Sequence, residues 1–171
     1  VKTPGKNLFP FIQKNLDAVL TVSDDDLVVA FLDMVENHKI VVENSGLLTV
    51  AALKHLNVTG KRIVSILSGG NMDVITMSSV VQQGLILRDR IFTVSVLLPD
   101  RPGELCHVAD VIAKQNGNVI KLEHNQFVSI NRNAAVELRI TLEAFGSEHK
   151  KQIIDALYNN GYQPKAVRTN I

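Results

Sequence analysis

The stretch Ile91–Leu105, IFTVSVLLPDRPGEL, restricts the fold more than any other part of the chain. Phe92, Val94, Val96 and Leu98 alternate with Thr93, Ser95 and Leu97, the period of a half-buried strand. Pro99, Asp100, Pro102 and Gly103 break that strand, and Leu105, Val108, Ala109 and Ile112 then recur at helical spacing. A strand that enters a helix through such a turn leaves backbone N–H groups unpaired at the helix start, where a carboxylate or phosphate can sit. The turn is therefore the first candidate for a small-ligand site.

Downstream the pattern predicts a helix over 103–115, strands over 118–126 and 134–144, a helix over 147–160 and a strand over 162–168. Val136, Leu138, Ile140 and Leu142 alternate with Glu137, Arg139, Thr141 and Glu143. Asn131-Arg132-Asn133 supplies hairpin turn chemistry, Gly117 and Gly161 mark helix ends, and Ser147 reads as a cap. The order βαββαβ predicts a ferredoxin-like sandwich, two helices on one face of a four-stranded antiparallel sheet. RNA-recognition domains share that order but need exposed aromatics on the sheet, and the polar face of 136–143 has none.

Upstream, Asp17–Val22, Ile40–Val42 and Arg62–Leu67 read as strands. Ser23 followed by Asp24, Asp25 and Asp26 reads as a capped helix start with Leu27, Phe31 and Met34 as its stripe, and the acidic run as a cap, not a metal cluster. A second helix over about 45–56 is apolar nearly all round, and a third runs from an Asn71 cap to about Gln83. Strand–helix pairs in this order predict a parallel sheet, yet too few for a finished domain. The expected fold class is thus α/β then α+β: a fragment of a parallel-sheet domain over 1–85, a charged connector at Gly84–Arg90, and a ferredoxin-like βαββαβ domain within 86–171.

Composition sets limits. An apolar fraction of 46% with 20% charged residues fits a globular chain, and a net charge of +1 argues against a nucleic-acid binder. No apolar run is long enough to span a membrane. The single cysteine, Cys106, cannot form an internal disulfide, so a reducing, cytoplasmic setting is expected, with Cys106 a small half-buried residue. The five histidines never pair at metal-ligand spacing. A chain starting VKTPGKNLFPF reads as the interior of a longer protein.

Ser68-Gly69-Gly70-Asn71 ends an apolar run, and its two glycines would let the backbone approach a flat ligand whose ring nitrogen the serine hydroxyl could meet. Together with Lys2-Thr3-Pro4-Gly5, Val41-Val42-Glu43-Asn44-Ser45-Gly46, Gly60-Lys61-Arg62 and Met72-Asp73, it resembles the threonine dehydratases, pyridoxal-phosphate ammonia-lyases. The likeness covers about 1–89, corresponding to the last third of that catalytic domain. It implies that Ser68 hydrogen-bonds the pyridine nitrogen, that Gly69 leaves room for the ring and, more loosely, that Glu43 stands near it. The family's Schiff-base lysine motif, ring-hydroxyl asparagine and glycine-rich phosphate loop are missing here. Lys39, Lys54 and Lys61 lie at element ends that read as solvated, so this chain alone is expected neither to hold the cofactor nor to eliminate ammonia.

Asp100-Arg101-Pro102-Gly103-Glu104-Leu105 with Gly117-Asn118-Val119-Ile120 resembles the ACT regulatory domain over about 90–168. That likeness implies side-by-side pairing into a homodimer or higher oligomer, with an amino-acid effector at the interface. Asp100, Arg101, Gly103 and Glu104 would line one side and Asn118 of the partner subunit the other. The competing expectation is an independent amino-acid-binding or purely dimerising module with no catalytic association.

Overall fold

In a computed structural model of the chain, residues 5–125 and 136–170 are described. The expected turn at Asn131-Arg132-Asn133 lies outside them.

The period-2 pattern of 91–98 becomes a strand of those bounds. β1 (Ile91–Leu98) pairs along its whole length with β3 (Val136–Glu143), antiparallel, from Ile91 opposite Glu143 to Leu98 opposite Val136. β2 (Asn118–Asn125) lies on the far side of β3, and β4 (Lys165–Val167) on the far side of β1, giving the antiparallel order β2-β3-β1-β4. Helices α5 (Glu104–Lys114) and α6 (Ser147–Asn159) cover one face. There Val108, Ile112, Ile153 and Leu157 bury against Phe92, Val94, Val96, Leu138, Ile140 and Leu142. Each such side chain contributes roughly 1.5–3 kcal/mol when fully buried. Strand order and one-sided helices define a ferredoxin-like sandwich.

Local chemistry departs from expectation at three points here. Asn116, not Gly117, takes the left-handed conformation at the end of α5, while Gly117 N–H reaches back to Ile112 O at 3.1 Å. Gly117 is required for space: a Cβ there would lie 2.8 Å from Ile112 Cγ2 and 3.0 Å from Ile153 Cδ1. Ser147 is the first residue of α6 rather than its cap; Gly146 holds that position at φ 122°, and Ser147 Oγ donates instead to Asp89 at 2.7 Å. The last strand is shorter than 162–168 because only Thr93, Val94 and Ser95 of β1 face it.

The first half is helical. α1 (Phe9–Asn15) buries no residue. α2 (Asp24–Asp33) opens with a reciprocal capping box between Ser23 and Asp26, as the sequence predicts, and runs on as a π-turn, Met34–His38. Tight turns at Asn44–Leu47 and Leu53–His55 flank the short α3 (Leu48–Ala52), so the helix expected over 45–56 is broken in two places. α4 (Val74–Leu87) is capped by Asp73, which accepts from Thr76 N–H, and not by Asn71; it continues past Gln83 into the expected connector. Phe31, Met34, Val42 and Leu47 form a small core, with Met72, Met77, Val80 and Val81 packed against it. Gly84 lets α4 approach α2: a Cβ there would lie 3.2 Å from Leu32 Cβ.

The runs 17–22, 40–42 and 62–67 form no strands. A parallel strand is held by neighbours on both sides, and here 40–43 and 66–70 meet through little more than Glu43 N–H to Gly69 O at 3.2 Å. Val64 and Ile66 consequently stand 90% and 73% exposed. Amide exchange will divide the chain accordingly: protection within 91–98 and 136–143 is expected to exceed that within 62–70 by orders of magnitude. Gly117→Ala is expected to cost about 1–3 kcal/mol by overpacking α5 against α6, read from the urea midpoint of the sheet domain.

Candidate functional site

Two groups hold the residues the sequence singles out, and a third is the connector between the two halves. The first is the 43/68–71 corner. Glu43 is held by Ser45 Oγ at 2.7 Å on one oxygen and by Asn71 N–H at 3.3 Å on the other. Gly69 has φ +76°, and a Cβ there would sit 2.5 Å from Glu43 Cδ; a Cβ on Gly46 would sit 1.8 Å from Ser68 O. The glycines thus let two chain segments touch, and the structure brings Glu43, Ser68 and Gly69 to one corner with Ser68 exposed. Lys39 and Lys54 are engaged elsewhere, Lys39 with Glu36 O at 2.6 Å and Lys54 with Asp26. The corner sets the Glu43 carboxylate against the backbone of 69–71.

The second is the turn between β1 and α5. Gly103 has φ +96°, open space around it and no side chain capping the helix that follows. Glu104 N–H bonds Arg101 O at 3.4 Å, and Asp100, Arg101 and Gly103 are exposed. Asn118 is not beside them. It opens β2 opposite Glu143, whose own partner is Ile91, so it lies at the opposite end of the sheet, seven residues or roughly 23 Å along the strands. Its amide donates to Glu143 Oε2 at 3.2 Å. Cys106, expected half-buried, is exposed because it sits on the solvent side of the first turn of α5.

The third group is the connector, whose charges the sequence displays without saying where they point. Arg88 donates to Asp33 Oδ1 at 2.6 Å and Arg90 pairs with Glu36, both reaching back to α2 and its π-turn. Asp89 between them has φ 53°, which turns its carboxylate to the other side. There Lys150 Nζ donates at 2.6 Å and Ser147 Oγ at 2.7 Å, both from α6. The Lys150 hydrogen bond holds the Asp89 carboxyl below its ordinary range, with Ser147 adding to it. The alternation of sign over three residues clips the helical half to the sandwich; a left-handed aspartate in the chain is its one structural signature.

Among the described residues no group of three or more His, Cys, Asp or Glu could hold a metal ion, and no helix is long and apolar enough to cross a membrane. No family model matches the chain. L-threonine ammonia-lyase of Geobacter sulfurreducens is 36% identical over 164 residues, covering 95% of this chain and 41% of that protein. The chain matches the C-terminal part of the L-threonine ammonia-lyases. The Thermotoga maritima enzyme of that name is 30% identical over 168 residues, 98% of this chain and 42% of its own length. Biosynthetic L-threonine dehydratase of Escherichia coli is 28% identical over 166 residues, 95% of the chain and 31% of that protein. The chain thus spans about two fifths or less of the curated relatives it matches. Among solved structures, the ACT domain of prephenate dehydrogenase from Bacillus anthracis covers 43% of this chain and 99% of its own, at 22% identity and a TM-score of 0.34.

Because the folded pKa of Asp89 is depressed, its clip stabilises the chain fully above the ordinary aspartate pKa of about 3.9 and is lost as pH falls through the folded value. Asp89→Asn is therefore expected to lower stability by about 0.5–1 kcal/mol at pH 7, the pair being partly exposed. The gap from wild type should close under strongly acidic conditions, checked by urea midpoints at each pH.

Proposed function

We propose that residues 1–85 are the last portion of the catalytic domain of a threonine ammonia-lyase, and residues 86–171 its ACT-type regulatory domain. The observation that carries this reading is similarity running through both halves at once, 36% identity over 164 residues. The whole enzyme would convert threonine to 2-oxobutanoate and ammonia, in a cytoplasmic setting compatible with the lone exposed thiol of Cys106. Pyridoxal phosphate, when bound there, supplies the electron sink for the elimination. Of this chain's residues Ser68 would hydrogen-bond the ring nitrogen, Glu43 would stand beside the ring and Gly69 would leave it room.

The regulatory half would bind an amino-acid effector between two copies. β2 is an edge strand with every residue exposed, so its backbone groups are open to another strand. Two copies paired antiparallel along β2 about a twofold axis would carry Asn118 of the partner subunit to the end of the sheet where Asp100, Arg101, Gly103 and Glu104 lie. The exposed turn and the edge strand together support this placement. A ligand that tightens the pair would shift the clip at Arg88–Arg90 only through differential affinity for two arrangements.

Sedimentation velocity and titration calorimetry with a panel of amino acids test the reading. The chain is expected to dimerise, one amino acid to bind with measurable heat, and Gly103→Val to abolish that heat while leaving the far-ultraviolet spectrum unchanged. A monomeric chain that binds none of the panel would overturn it.

A further inference from the structure

The sheet carries helices on one face only. On the other, Thr93 of β1 and Thr141 of β3 stand opposite each other in register, their hydroxyls 3.0 Å apart. They are 7% and 4% exposed although no helix covers them. They line a well of about 100 Å³ together with Lys121 and Glu123 of β2, Arg139 of β3, Val167 of β4 opposite Thr93, and Arg168 and Asn170 just beyond it.

Donors outnumber acceptors in this well. Two hydroxyls that share one hydrogen bond use one O–H between them, and the second proton remains to be given. Arg139 spends its Nε on Glu137 at 3.1 Å, which leaves both terminal nitrogens of the guanidinium. Lys121 holds Glu123 at 2.6 Å and, with Arg139, keeps that carboxyl ionised below its ordinary range. Arg168 has no ion-pair partner among the described residues. Three cations against Glu123 and Glu137, the second paired with Arg139, leave the site with a net charge of +1. The volume is that of about three waters at about 30 Å³ each, the size of a tetrahedral oxyanion.

We propose that this well binds a small oxyanion, inorganic phosphate or the phosphate head of a monoester entering from solvent. Arg139 and Arg168 grip the charge and the Thr93–Thr141 pair donates from below, while Glu123 sets an upper limit on affinity by repulsion. The well is built from the sheet and the segment just after β4. It is separate from the 99–104 turn, and it stands whether or not residues 5–87 belong to a catalyst.

The test is a titration of the nitrogen-15-labelled full chain with inorganic phosphate at fixed ionic strength, chloride serving as control. Saturable shifts are expected at the amides of Thr93, Lys121, Arg139 and Thr141. Arg139→Met and Arg168→Met should each weaken binding about tenfold, and Glu123→Gln should strengthen it several-fold. Arg168 lies beyond the last strand, so its variant keeps the fold, as the remaining amide spectrum will report. Glycerol phosphate binding as tightly as phosphate identifies the free ion as sufficient; tighter binding identifies a monoester as the preferred source. Shifts that chloride reproduces, or an affinity indifferent to both arginine variants, would overturn the proposal.

Discussion

Everything in the second half of this chain depends on the full-length pairing of β1 with β3. Eight residues of β1 face eight of β3 without a slip, so the two faces of the sheet are fixed throughout. One face takes Phe92, Val94, Val96 and Leu98 under two helices. The other takes Thr93 and Ser95, which are buried among polar neighbours: Thr93 bonds Thr141, and Ser95 donates to Glu137 at 2.7 Å. A one-residue slip would put threonine under the helices and valine in water. The same strand starts at the connector and ends at the 99–103 turn, so both structures are positioned by one register.

Much of this was legible because a strand with one covered face writes its period into the sequence. The bounds of β1, the βαββαβ order and the capping box at Ser23 all follow from local pattern alone. The upstream runs failed for a physical reason that local pattern does not carry. Ile40–Val42 and Arg62–Leu67 have the apolar character of buried parallel strands, but a strand exists only with partners. Without them Ile40, Val41, Val64 and Ile66 lie exposed, and only Val42 is buried, in the small core that Phe31, Met34 and Leu47 form.

The candidate residues could be named from the sequence, but not where the fold would put them. Glu43, Ser68 and Gly69 stand far apart in sequence and are brought to one corner because Gly46 and Gly69 permit a backbone approach that any Cβ would block. Asp100, Arg101, Gly103 and Glu104 share one turn, so their grouping is trivial in sequence. Asn118 differs: the sheet sets it at the opposite end, and no reading of spacing reveals that before strand order is known. The oxyanion well has no sequence signal at all, since Lys121, Arg139 and Arg168 come from three elements and converge only through register.

The connector shows why charge pattern needs geometry. Read as a string, Arg88-Asp89-Arg90 is a solvated link. Folded, the left-handed backbone at Asp89 sends successive side chains to opposite partners, the arginines to Asp33 and Glu36 and the aspartate to Lys150 and Ser147. Each pair is partly exposed and contributes little alone, about 1 kcal/mol or less. Their joint effect is orientation: Asp89 ties the connector to α6 while its two arginine neighbours tie it to α2 and the π-turn. Ala144 N–H to Arg90 O at 2.8 Å adds a backbone tether from the end of β3. A displacement of α6 on the sheet would therefore be felt in the helical half through three adjacent residues, with no need for a continuous path through either core.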